Sequence, residues 1–288
     1  MPTSSAAVRL FQGQDDALRA RPFLKWAGGK GQLLEQYRPF FPKRFGRYFE
    51  PFMGGAAVFF HLRASAAGSL GAALTDINEE LVNCYRVVRD DVEALIRGLK
   101  GHPYDRDHYY AVRGLEPEVM HPVDRAARTV FLNRAGFNGL YRVNQDGRFN
   151  VPFGRFAKPK ICDEANLRLC AGALRDTRIE VRDFSGVVDE VRPGDFVYLD
   201  PPYPPVSATA NFTSYIPGGF GWNEQVRLAE VFRELSRKRA FVMLSCSDVP
   251  QIRELYQDFA IDPVQASRSI NSKATGRGKV GEVVVRNY

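Results

Sequence analysis

The chain has 288 residues, of which 44% are apolar and 25% charged, with a formal net charge of +7. That length buries a full core, as one large domain or as a domain with an insertion, and the balance is ordinary for a soluble globular protein. No stretch approaches the roughly eighteen apolar residues of a membrane span, and the start, MPTSSAAVRLFQGQDDALRARP, lacks the apolar centre of a signal peptide. A cytoplasmic protein is expected. Cys84, Cys162, Cys170 and Cys246 form no C-x-x-C pair and read as reduced thiols, and the histidines show no ligand spacing, so no metal is expected.

In chain order, residues 1–20 read as a flexible extension. PFLKWAGGKGQLL (22–34) sets Trp26 and Lys30 around an Ala-Gly-Gly turn ahead of a helix. Backbone N–H groups at such a turn receive a ligand carboxylate, with Lys30 adding charge and Trp26 a stacking or cation–π face. A glycine turn beside a core tryptophan would look the same. YFEPFMGGAAVFF (48–60) reads as strand, Gly54-Gly55 turn and apolar helix. That form lets a nucleotide-like ligand approach the backbone, although a plain strand–helix turn shares it. ALTDINEE puts Asp76 at the end of a short strand, 22 residues after Gly54. There a carboxylate either accepts both ribose hydroxyls or caps the following helix.

Residues 79–159 are helical, polar and arginine-rich, and read as an inserted domain. Within them YRVNQDGRFNVPFG carries a hairpin signal at Asp146-Gly147. Residues 125–160 hold eight Lys/Arg against Asp146 alone, and residues 264–288 hold five against Glu282 alone. Two such basic patches suit a polyanion, or a solvated surface. Strand-like runs at Arg47–Phe52, Ala72–Thr75, Ile179–Val181, Phe196–Leu199, Ala240–Ser245 and Glu282–Val285 alternate with helical patterns. The clearest helix runs from Asn223, its expected cap, to Leu235. The alternation predicts an α/β sheet.

VRDFSG (181–186) ends a strand with Asp183 and Phe184. An adenine against Phe184 would give its amino group to Asp183; a plain strand-end aspartate is the other reading. LDPPYPP (199–205) leaves a buried strand at Asp200 and stiffens the exit with Pro201 and Pro202 before Tyr203. An exocyclic base amine is a poor nucleophile because its lone pair is delocalised into the ring. A carboxylate and a proline carbonyl accepting its two hydrogens free that lone pair, while a tyrosine face holds the base by stacking. A methyl group on a sulfonium is the matching electrophile, and a duplex base must be flipped out to reach such a pocket.

FLKWAGGK, EPFMGG, TDIN, FLNRAGFNGLYRVNQDGRFNVPFGR, YLDPPYPPVSATANFTSY and RSINSKATGRGKVGEVVV, in that order between Arg21 and Tyr288, resemble the motifs of the Dam-type DNA adenine-N6 methyltransferases. Their order is similar to that of the alpha group of amino methyltransferases. The resemblance implies a Rossmann-like methyltransferase domain (21–78 and 160–288) with an inserted helical and β-hairpin target-recognition domain (79–159). It implies S-adenosylmethionine as donor, S-adenosylhomocysteine as product, and double-stranded DNA as partner. A monomer is expected, since one chain carries every part. Nucleoid association and a cognate restriction endonuclease are further implications of the resemblance.

Matched position by position, the resemblance implies cofactor contacts from Trp26, Lys30, Phe52, Gly54, Asp76, Phe184 and Asp200, and catalysis by Asp200, Pro201, Pro202 and Tyr203. It implies DNA contacts from Asn138, Leu140, Arg142 and Arg155, and phosphate contacts from Arg268, Arg277 and Lys279. Arg142 would read the guanine and Leu140 the thymine methyl of GATC, as their chemistry suits; a phosphate contact is the other reading of Arg142. VSATANFTSY (206–215) is read as a lid over the adenine. Ala56 departs from a third glycine common in relatives, and Phe156 from a tyrosine that some carry. Methylation of cytosine N4, RNA or a protein amide is a competing chemistry, and a silent DNA-binding module a competing class.

Overall fold

The structure is a computed structural model that describes residues 8–10, 19–66, 68–203, 220–267 and 279–288. Strands β1 (Val8–Arg9) and β2 (Arg44–Phe45) form a short antiparallel pair, so part of the segment expected to fray is held, with Val8 buried. Strands β3 (Tyr48–Glu50), β4 (Ala72–Asp76), β5 (Arg178–Val181), β6 (Phe196–Leu199) and β7 (Phe241–Ser247) run parallel. Strands β8 (Ala260–Ser267) and β9 (Lys279–Arg286) are antiparallel to their neighbours. The seven-stranded order is β5-β4-β3-β6-β7-β9-β8. The expected α/β sheet is present, and it is consistent with a Rossmann-like methyltransferase.

Alternation along each strand divides the interior in two. Tyr48, Phe196, Tyr198, Met243 and Val284 face one core, while Phe49, Val197, Leu199, Leu244 and Val285 face the other. The first core is covered by α1 (Leu34–Tyr37), α2 (Ala57–Ser65), α3 (Glu79–Asp90), α4 (Val92–Lys100), α5 (Arg106–Arg113), α6 (Pro122–Ala135) and α7 (Glu164–Leu174). The second lies under α8 (Trp222–Arg237) and α9 (Pro250–Leu255). All four β6 side chains are buried, and each such residue contributes about 1.5–3 kcal/mol. Helix α3 also leans on the sheet edge, where Arg86 and Arg89 donate to the carbonyls of Ile179 (2.8 Å) and Thr177 (2.7 Å).

Four expectations need correction. Helix α8 starts at Trp222 with Gly221 at its cap, so Asn223 lies inside the first turn and caps nothing. Asn78, not Asp76, caps α3, accepting from the Leu81 N–H at 3.0 Å. Strand β8 was not expected because Asp262 and Pro263 interrupt its pattern; as the edge strand it tolerates a residue without an N–H. The basic run at 125–160 is partly internal. Arg125 pairs with Glu80, and buried Arg128 donates to the last carbonyls of α5, Val112 (3.1 Å) and Arg113 (3.0 Å). That places a cation at a helix C-terminus.

The chain leaves β3 because Pro51 cannot extend the ladder. It then turns through Gly54 (φ 45°) into α2, whose N-cap Ala56 is also left-handed at φ 50° and ψ 34°. A methyl-bearing residue in that conformation costs about 1–2 kcal/mol, while a glycine loses about 0.5–1 kcal/mol more entropy on folding. Ala56→Gly is therefore expected to leave stability unchanged or raise it by up to about 1 kcal/mol. Urea denaturation checks this, and a clear loss would show that the methyl's packing outweighs the strain.

Candidate active site

The chain order reverses between β3 and β6, from which β4–β5 run one way and β7 the other. Ligands of open parallel sheets bind beyond the carboxyl ends of the strands at such a point. Phe52 and Gly54 follow β3, Asp76 ends β4, Asp183 follows β5 and Asp200 follows β6. The cofactor and catalytic positions expected from sequence therefore share one sheet edge.

Asp200 is the centre of this edge. Buried Lys30 meets its Oδ1 at 2.7 Å and donates also to the Gly28 carbonyl at 2.7 Å. Ser245, at the matching level of β7, donates to the same Oδ1 at 2.9 Å and shares a 2.9 Å hydrogen bond with the Tyr198 hydroxyl. Burial pushes the Asp200 carboxyl up, and Lys30 and Ser245 hold it back. Among the described residues, Oδ2 receives no hydrogen bond. Gln225, fully buried on α8, donates to the Pro202 carbonyl at 3.1 Å, while no described donor meets the Pro201 carbonyl. One carboxylate oxygen and one proline carbonyl thus remain as acceptors. The Tyr203 hydroxyl donates to Glu282 on β9 at 2.8 Å, and the Lys30 ammonium lies 4.7 Å from the Tyr203 ring centre. Lys30 thus has a cation–π contact with Tyr203 and an ion pair with Asp200.

Beside it, Asp76 accepts from Gly54 N–H (3.1 Å) on Oδ2 and from Asn78 N–H (3.0 Å) on Oδ1. Burial pushes its carboxyl up to about 6 against those backbone donors. A Cβ on Gly54 would lie 3.0 Å from the Trp26 ring and would sit at a left-handed φ, so glycine lets the indole seat closely against the turn without strain. The buried Glu50 carboxyl accepts from Tyr48 hydroxyl at 2.8 Å, and burial pushes it well above the usual range.

The expected adenine seat holds the chain's own side chains. Phe184 is buried and stacked on Phe52 at 5.2 Å, with the Arg227 guanidinium 4.3 Å from its centre. Asp183 Oδ1 accepts from Ser185 N–H (3.0 Å) and hydroxyl (2.5 Å), and pairs with Arg227. Sequence reading missed Arg227, which is two helical positions beyond Gln225 and has no motif to mark it.

The hairpin forms a three-residue turn. Gly147 takes φ 75°, and Asn144 accepts from the N–H groups of Asp146 and Arg148. The Arg142 guanidinium reaches across to Asn150, Nε to Oδ1 at 2.6 Å and Nη2 to the carbonyl at 3.3 Å, which leaves Nη1 free of both. Asn138, left-handed at φ 54°, and Arg155 are exposed, as is Phe137, which sequence reading passed over. Lys25 lies 4.6 Å over the Phe156 ring, and burial with nearby Arg134 lowers its pKa. Arg268, Arg277, the Lys279 side chain and the segment 206–215 lie outside the described residues.

The site residues besides those expected, Ser245, Gln225 and Glu282, come from distant strands and helices, and Glu282 alone of them lies within a quoted motif. Only the sheet order brings them in. Among the described residues no group of His, Cys, Asp and Glu could hold a metal ion, and no helix is long and apolar enough to cross a membrane.

Comparison with known proteins adds a family and relatives. The family model for the D12 class N6 adenine-specific DNA methyltransferases matches residues 26–270. The chain is 42% identical to the type II methyltransferase M1.LlaDCHI of Lactococcus lactis subsp. cremoris, over 96% of this chain and 98% of that protein. It is 40% identical to the type II methyltransferase M.MjaIII of Methanocaldococcus jannaschii, over 94% and 100%. It is 36% identical to the DNA adenine methylase of Serratia marcescens, over 92% and 97%.

Removing one member of a buried ion pair costs about 3–5 kcal/mol because the other charge is stranded. Lys30→Met is expected to cost about 3 kcal/mol in urea denaturation at pH 8, and Asp200→Asn in the same chain to recover most of it. The cost should shrink as pH falls, because protonating Asp200 removes the stranded charge. An equal cost in the double variant would show that Lys30 stabilises by packing alone.

Proposed function

Since the chain belongs to the D12 class of N6 adenine-specific DNA methyltransferases, and is thus a DNA adenine-N6 methyltransferase, we propose that it methylates adenine in GATC duplex sites using S-adenosylmethionine and a flipped-out base. The observation that carries this reading is the fixed Asp200, with Oδ2 and the Pro201 carbonyl left as acceptors beside Tyr203. These two acceptors take the amine hydrogens of the adenine, and its N6 lone pair turns out of the ring plane. Tyr203, held by Glu282, stacks on the base. A bound S-adenosylmethionine supplies an electrophilic methyl on sulfonium. The methyl would leave the sulfonium for N6, with S-adenosylhomocysteine as the other product, and Asp200, whose carboxyl burial has raised, would take the surplus N6 proton. Lys30 and Ser245 keep that carboxylate in one orientation throughout.

The residues present fit the cofactor. Asp76 is a buried acceptor for a ribose diol, Gly54 and Trp26 form a close-packed turn, and Phe52 and Phe184 offer rings to the adenine. Adenine stacking on Phe184 requires Arg227 to leave. Arg142 reads guanine and Leu140 the thymine methyl, Asn138 sits beside them at the hairpin, and Arg155, Arg268, Arg277 and Lys279 meet phosphates. The match with type II methyltransferases favours a restriction endonuclease as a cognate partner in the same cell.

Labelled methyl transfer to duplexes differing only as GATC and GTAC tests the reading. N6-methyladenine in GATC alone, abolished by Asp200→Ala, is expected; equal labelling would remove the assigned sequence. Arg142→Ala should reduce discrimination at the guanine by about 1–3 kcal/mol, seen as kcat/KM on single-substituted sites. Asp76 binds a diol only as carboxylate. With its free pKa near 6, cofactor affinity should hold above pH 7 and fall on acidification below 6. A flat profile in isothermal titration between pH 5 and 8 would contradict that role.

A further inference from the structure

The hairpin and the cofactor turn are packed as one body. Buried Asn133 on α6 accepts from the Lys25 N–H at 2.8 Å and donates to the carbonyls of Lys25 (2.8 Å) and Gly139 (3.0 Å). A Cβ on Gly139 would collide with the Lys25 side chain, so the Gly139 backbone packs directly against that side chain. The next residues continue the contact. The Tyr141 ring, buried between Leu140 and Arg142 in sequence, stacks on Trp26 at 5.2 Å and 28°. The indole also lies close to Gly54, whose N–H donates to Asp76.

We propose that Tyr141 is a positioning residue that transmits cofactor occupancy to the DNA-reading hairpin. This rests on the cofactor and DNA readings above. A ligand seated on Trp26, Gly54 and Asp76 restrains the indole. The indole restrains Tyr141, and with it the backbone that carries the neighbouring Leu140 and Arg142. Asn133 keeps the two segments from sliding apart, so the restraint is not lost in local motion. The effect is a coupling between sites: cofactor tightens specific DNA binding, and DNA tightens cofactor binding by the same factor.

The test is equilibrium binding of a GATC duplex to the full chain with and without saturating S-adenosylhomocysteine. The wild type and Tyr141→Phe, which keeps the stack, should bind DNA about 10-fold tighter with the cofactor product. Tyr141→Leu should bind each ligand alone within about 3-fold of wild type, with the coupling factor falling towards unity. Trp26 emission, read in a Trp222→Phe background, should change when DNA alone binds; this needs no substitution at Tyr141. Full coupling in Tyr141→Leu, whatever its loss in Tm, would reduce the stack to packing and overturn the proposal. A wild type that binds both ligands without coupling, or a Trp26 emission blind to DNA, overturns it alone. A wild type that binds neither ligand overturns the functional reading with it.

Discussion

A carboxylate taken out of water must be paired, and here the partner comes from the far end of the chain. Asp200 leaves β6 into a buried edge, and the buried ammonium of Lys30 meets it at 2.7 Å. An unpaired charge at that depth would protonate instead, and a protonated group would accept less from an amine. The glycine turn at 28–29 is shaped by this need. It lets the chain double back so that Lys30 reaches Asp200 while its ammonium also donates to Gly28. Ser245 fills a second site on the same oxygen. Among the described residues, the result is a carboxylate with one oxygen committed and one available.

Parallel strand order does the rest of the assembly. Because β3, β4, β5 and β6 run the same way, the residues that follow them emerge on one side. The Asp76 carboxyl, the Phe52 and Phe184 rings and the Asp200 carboxyl, proposed above to hold a sugar, a base and an amine, are gathered without any long-range folding code beyond strand order. The inserted helices then bring the hairpin down onto Trp26. The hairpin and the Trp26 turn, proposed as reader and cofactor seat, therefore share a wall, and Asn133 is the rivet between them.

Much of this was legible in sequence where local physics decides. Buried runs such as Phe196–Leu199 could be little but strands, and the prolines after Asp200 announced an exit from the sheet. Asp146-Gly147 announced a turn, which forms. Other features depend on partners far away. Edge strand β8 is hidden by Asp262 and Pro263, because its outer side needs no ladder. Arg125 and Arg128 look like surface charge until α3 and α5 supply their acceptors. Ser245 and Gln225 carry no motif, Glu282 stands in one that says nothing of its partner, and only the adjacency of β7, α8 and β9 to Asp200 reveals their roles. Phe184 reads as an open seat, yet the ring is buried against Phe52 with the Arg227 guanidinium over it, a cation–π contact between residues that no sequence motif links.

The most direct measurement is single-turnover methyl transfer by the Lys30→Met chain, below its lowered Tm and at saturating cofactor and DNA. If the ion pair fixes Asp200 for its work, the rate falls by about 100-fold while DNA affinity stays within about 3-fold of wild type. A wild-type rate in that variant would mean that Asp200 finds its orientation without Lys30, and would contradict the account at its centre.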